Sequence, residues 1–87
     1  NSSKDHRLQP KVADNVIHQI QEGNRSIIGV MLESNLFEGN QSSEQPKEQM
    51  RYGVSITDAC IDWETTADLL ARCHSQLAAP LKSRTAL

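Results

Sequence analysis

The run Ile27-Ile28-Gly29-Val30-Met31-Leu32 constrains this chain more than any other stretch. It is continuously apolar rather than alternating. That is the pattern of a strand covered on both faces, as in a parallel sheet between helices. Such a strand needs hydrogen-bonded neighbours, because an unpaired one exposes a row of backbone donors and acceptors. The other residues offer one weak partner, residues 54–61, which alternate for four positions and then stop. A buried strand over residues 26–33 with no adequate partner predicts that the segment is the end of a larger α/β domain. The rest of the sheet is then expected upstream.

Helical patterns flank the run. Pro10 suits the first turn of a helix, where a missing N–H costs nothing. Val12, Val16, Ile17 and Ile20 recur on one helical face. Gly23 stands where a C′ glycine would close the helix, so the spacing predicts a helix over 10–22 after a polar loop over 1–9. A second helix is predicted over 63–79, with Asp62 as its N-cap and Leu69, Leu70, Cys73 and Leu77 on its apolar face. Pro80 is expected to end it, leaving 81–87 as a frayed tail. Between the run and this helix, residues 34–53 form a long polar loop, a length that is usually functional or disordered.

Composition closes off several classes. Nine Lys and Arg against eleven Asp and Glu give a formal charge of −2, without the basic excess a nucleic-acid binder needs. No apolar stretch approaches the roughly 20 residues of a membrane span. The N-terminal Asn-Ser-Ser-Lys-Asp-His-Arg has no apolar core of a signal peptide and no initiating Met, so the expectation is that either the first residues were removed or the chain was cut from something longer. Two cysteines without a CxxC pair, Cys60 and Cys73, fit a reducing, cytoplasmic setting. His6, His18 and His74 lack zinc-finger spacing to cysteine. Aromatics are limited to Phe37, Tyr52 and Trp63, so a free-standing core would be small in a chain of 87 residues.

Two carboxylates carry the chemistry the pattern permits. Glu33 closes the apolar run, and α/β folds place their sites beyond the carboxyl ends of parallel strands. The plainer reading is a loop cap or a partner for a nearby arginine. Asp58 lies in an apolar-flanked part of the long loop, where an Asx-turn acceptor is the plain reading. Cys60 and Cys73 read as packing residues, and His18 and His74 as surface or boundary residues. Lys4 and Arg7 are a weak phosphate-binding signal. Gly39-Asn40-Gln41-Ser42 lacks the ending of a P-loop and reads as a structural turn. Glu44, Lys47, Glu48 and Arg51 read as a solvated charged stretch.

Several longer strings have a family likeness. They are Ile27-Ile28-Gly29-Val30-Met31-Leu32-Glu33-Ser34-Asn35, Glu38-Gly39-Asn40-Gln41-Ser42, Tyr52-Gly53-Val54-Ser55-Ile56-Thr57-Asp58-Ala59-Cys60-Ile61 and Trp63-Glu64. In this order they resemble the C-terminal quarter of the class I bacterial 3-deoxy-D-arabino-heptulosonate 7-phosphate (DAHP) synthases. The likeness runs from Asn1 to about Leu77. The wording of residues 38–46 is most similar to the tyrosine-sensitive isozymes. The resemblance implies a (β/α)8 barrel, of which this segment supplies helix seven, strand eight and helix eight. It implies a shikimate-route transferase that condenses phosphoenolpyruvate with erythrose 4-phosphate and releases phosphate.

The resemblance also implies a divalent metal (manganese, iron, cobalt or zinc) held by one Cys, one His, one Glu and one Asp. Glu33 and Asp58 match the two carboxylate ligands, and Asp58 also matches a position that touches erythrose 4-phosphate. The family's His lies two residues before the position that Asn1 matches, and the ligand Cys on an earlier strand. Cys60 is then a candidate for oxidation with that Cys. A homo-oligomer and feedback inhibition by tyrosine are further implications. A segment with half a metal site is expected to be inactive alone. Two other readings stand beside this one. One is a non-enzymatic α/β interaction module docking through Val12, Val16 and Ile20 and through Leu69, Leu70 and Leu77. The other is a small metal-binding regulator built on Glu33 and Asp58.

Overall fold

The computed structural model describes residues 4–85. Two helices dominate it: α1, Gln9–Gln21, and α2, Trp63–Thr85. Short 3-10 turns at His6–Leu8 and Lys47–Gln49 punctuate the connecting segments. The first turn is organised by Asp5, whose carboxylate accepts the Arg7 N–H and a forked pair of Arg7 guanidinium hydrogen bonds, each 3.0 Å. Arg7 is thereby engaged with its neighbour.

The predicted first helix is present with its ends one residue earlier. Pro10 lies in its first turn. Gly23 takes φ +104°, its N–H donates to the Ile20 carbonyl, and the Asn24 N–H donates to the Gln19 carbonyl. That pair of bonds is the Schellman closure, and it needs the left-handed residue that glycine supplies. The buried stripe is rotated from the predicted one. Gln9, Ala13, Ile17 and Ile20 are buried, while Val12 and Val16 are half-buried beside an open cleft.

The second helix starts as predicted. The Asp62 carboxylate accepts the Thr65 N–H at 2.8 Å, and the Thr65 side chain and N–H together hold that carboxyl below its ordinary value. On its apolar face, Leu69 is fully buried and Thr66 nearly so. Leu70, however, is exposed, and Cys73 and Leu77 are half-buried. Pro80 does not end the helix; it lies inside, and α2 continues to Thr85. Proline normally breaks a helix interior partly because it leaves a carbonyl one turn back without its donor. Here that carbonyl belongs to Gln76, and the Gln21 side-chain amide of α1 donates to it at 3.4 Å. Beyond Pro80, Arg84 donates to the carbonyls of Asn24 and Ile27, tying the last turn to the end of α1. The predicted frayed tail is therefore helical over 81–85, and its last two residues lie outside the described ones.

The predicted strand is not formed. Among the described residues there is no strand, only single-residue bridges. Residues 28–32 have no backbone hydrogen-bond partner among the described residues. The buried character expected of the run is also reversed: Ile28 is 94% exposed and Met31 87%. The cause is the one the sequence raised. A strand apolar on both faces requires neighbouring strands and a second helical layer, and the described residues supply neither.

Residues 34–53, expected to be a long polar loop, form an ordered lobe together with residues 54–61, which were expected to be extended or irregular. Ser34 bridges Ile61 in parallel and Gly39 bridges Cys60 antiparallel. The Gln41 side chain is the hub. Its amide donates to the carbonyls of Arg51 and Val54, and its oxygen accepts from the Arg51 N–H and the Gln45 amide, all within 2.8–2.9 Å. Gly53 sits at φ +77°, and a Cβ there would lie 2.8 Å from the Leu36 Cβ. Gly53→Ala in the full-length protein is expected to destabilise it by about 2 kcal/mol or more, from left-handed strain plus overlap. Urea unfolding checks this, and an unchanged midpoint would mean that Leu36 yields at little cost.

Candidate metal centre

Glu33 and Asp58 are brought to one cleft. It has a volume of about 570 Å³ and opens between the N-terminal half of α1 and residues 30–33, with Lys4 and Asp58 on its rim. Val12 and Val16 form its α1 wall. The two carboxylates are 25 positions apart in sequence, and the ordered lobe is what returns the chain from one to the other.

Glu33 is the point at which the apolar run becomes fixed. Its N–H donates to the Gln9 Oε1 at 2.9 Å, and its carbonyl accepts the Gln9 Nε2 at 3.0 Å. The same carbonyl accepts the Ile61 N–H at 2.9 Å. Gln9 is 7% exposed, so its amide spends its hydrogen bonds inside the protein. Neighbouring packing is firm: Ala13, Ile61 and Leu69 form the buried cluster, with Leu32 against it. The Ser34 and Thr66 hydroxyls are hydrogen-bonded at 2.5 Å, which links the residue after Glu33 to α2.

Asp58 is exposed on the lobe. The Asx turn expected of it is absent. The local turn is instead made three residues earlier, where the Ser55 hydroxyl accepts the Thr57 N–H at 3.1 Å. The Asn40 amide donates to the Thr57 carbonyl, and the Cys60 thiol to the Asp58 carbonyl at 3.5 Å. Neither the Glu33 nor the Asp58 carboxylate has a hydrogen-bond or ion-pair partner among the described residues, so the cap and arginine-pair readings of Glu33 are not realised either. Two carboxylate residues lining one cleft offer the hard, anionic oxygen chemistry a divalent cation takes. They are also too few: among the described residues, no group of three His, Cys, Asp or Glu converges.

The other candidates fall elsewhere. His18 lies against Glu22 at 3.5 Å on the outer face of α1, and His74 is exposed. Cys60 and Cys73 are half-buried free thiols. Gly39 takes φ +88° but pairs with Cys60 in a bridge, so residues 39–42 do not form the tight turn expected of them. Gln9 was not legible as a site residue, because its partner is backbone. A polar side chain opening an otherwise amphipathic helix was the only available signal.

The cleft carries two unengaged carboxylate residues where an extended apolar segment meets α1, the arrangement of an α/β protein with its site at the end of such a segment. The chain belongs to the DAHP synthetase I family, whose family model matches residues 1–71. It is 60% identical over 86 residues to the Tyr-sensitive phospho-2-dehydro-3-deoxyheptonate aldolase of Escherichia coli, covering 99% of this chain and 24% of that protein. It is 53% identical over 75 residues to the tyrosine-inhibited aldolase of Candida albicans, covering 83% of this chain and 20% of that one. Among solved structures, the phospho-2-dehydro-3-deoxyheptonate aldolase of Francisella tularensis superposes with a TM-score of 0.76 at 40% identity. That match covers 97% of this chain and 23% of the aldolase. The chain thus spans about a quarter of the length of the curated relatives it matches.

Proposed function

We propose that this segment is the C-terminal part of a (β/α)8-barrel DAHP synthase, an enzyme condensing phosphoenolpyruvate with erythrose 4-phosphate and releasing phosphate. The observation that carries the reading is the convergence of Glu33 and Asp58, both uncommitted, on one cleft in a chain of this family. Residues 26–33 then become the last barrel strand, and its exposed Ile28 and Met31 find cover in the remainder of the barrel. Glu33 and Asp58 would hold the divalent ion together with a His and a Cys from the remainder. When bound, such an ion supplies Lewis-acid activation of the aldehyde carbonyl. Glu33 contributes a fixed anionic oxygen, because its backbone is tied on both sides. Asp58 sits on the rim, where it can also meet the aldose.

Feedback inhibition by tyrosine, a homo-oligomeric assembly and a cytoplasmic location belong to the same proposal. The names of the relatives support the first. No described helix is long and apolar enough to cross a membrane. The interaction-module reading is less well supported, because Ile20 and Leu69, two residues of its docking faces, are already buried within the chain.

The test is an assay on the full-length protein. Phosphate release is expected only when both substrates are present. EDTA should abolish it, and Mn²⁺ should restore it. Full turnover in excess chelator, or no turnover with this substrate pair and any of the four metals, would overturn the reading.

A further inference from the structure

We propose that Gln9 is the positioning residue that sets the metal affinity of Glu33. The inference rests on the metal-centre reading above and deepens it. Gln9 opens α1 and is buried, and both ends of its amide are used on a single residue 24 positions away. Oε1 takes the Glu33 N–H and Nε2 gives to the Glu33 carbonyl, so one side chain mimics the peptide group of a neighbouring strand. A strand partner fixes one edge by repeated pairing along its length. Gln9 does so at one residue, and that residue carries the carboxylate.

The consequence is geometric. Fixing both the N–H and the C=O of Glu33 restrains the peptide planes on either side of its Cα, and with them the direction of the side chain. The Ile61 N–H on the same carbonyl adds a third restraint. The restraint is also local, because residues 28–32 have no backbone partner among the described residues. Val12 and Val16, on the same helix, line the cleft, so α1 both walls the site and aims its ligand. Residues that orient metal ligands without touching the metal typically change affinity by about 10- to 100-fold when removed.

The test uses full-length protein stripped of metal and titrated with Mn²⁺, free Mn²⁺ being read by its electron paramagnetic resonance signal. Gln9→Met keeps the volume and removes both hydrogen bonds. Its Mn²⁺ dissociation constant is expected to rise about 10- to 100-fold. Asp62→Ala, which loses the α2 cap but removes no hydrogen bond to Glu33, is the stability control and should leave that constant within about twofold of the parent. Should Gln9→Met not yield folded protein, Gln9→Asn carries the same test, because its shorter arm withdraws the amide from Glu33. A parental Mn²⁺ affinity in the folded Gln9 variant overturns the proposal, as does an equal loss in Asp62→Ala. Glu33→Ala separates this failure from failure of the site itself. If Glu33→Ala loses Mn²⁺ and the Gln9 variant does not, only the role of Gln9 is wrong. If Glu33→Ala binds Mn²⁺ like the parent, the metal-centre reading falls, and this proposal with it.

Discussion

Glu33→Ala and Asp58→Ala, each in the full-length protein, are expected to lower Mn²⁺ affinity by about a hundredfold or more and to abolish turnover at micromolar metal. Loss of an orienting neighbour alone typically costs about 10- to 100-fold, and loss of a ligand removes a bond and a negative charge as well. The two variants should differ in recovery. Glu33 is half-buried and held by three backbone hydrogen bonds. Its removal leaves a fixed gap that Mn²⁺ or water fills poorly. Asp58 is exposed on the lobe, so millimolar Mn²⁺ should restore more of its lost binding. If Asp58 also meets erythrose 4-phosphate, Asp58→Ala should retain a raised KM for that substrate even at saturating metal. Glu33→Ala should not. Wild-type turnover with added manganese in either variant would remove that residue from the ligand set.

The features legible in the sequence are those set by near neighbours. Pro10, Gly23 and Asp62 mark helix ends because their effects act within one turn of chain, and all three act as read. Pro80 was misread because its cost depends on what becomes of the Gln76 carbonyl, and the donor that takes it is Gln21, 55 residues away. The apolar run shows a different limit. Its pattern specified cover on two faces, but pattern cannot supply the cover, and Ile28 and Met31 remain open. For the site, carboxylates at the end of an apolar run and in a long loop were visible as chemistry. Their meeting in one cleft required the fold of residues 34–61, organised by the Gln41 amide, which no periodicity reveals. Gln9 lay deeper still: a side chain whose partners are another residue's backbone atoms shows in the sequence only as a polar residue opening an amphipathic helix, with nothing to name its partner.

The isolated 87-residue chain is expected neither to unfold cooperatively nor to catalyse the condensation. Its shape argues the first point. A compact domain of this length has a radius of gyration of about 12 Å, whereas this chain has 16.0 Å and extends 56 Å along its longest axis. A compact monomer of the same mass exposes roughly 5,100 Å², and this chain exposes 6517 Å². Its buried apolar side chains are limited to Ala13, Ile17, Ile20, Val54, Ile61 and Leu69 among the described residues. Ile28, Met31, Phe37, Tyr52 and Trp63 stand open, and each is a large apolar surface whose burial would stabilise the fold by roughly 1.5–3 kcal/mol. That stabilisation becomes available only when the rest of the domain covers them. Thermal circular dichroism should therefore show partial helicity lost over a broad range, and a dye that reports exposed apolar surface should bind. Mixing with the separately produced remainder of the protein should sharpen the transition and restore Mn²⁺ binding. A sharp single transition in the monomeric chain alone, or measurable phosphate release by it, would show that these two helices and their lobe make a self-sufficient unit.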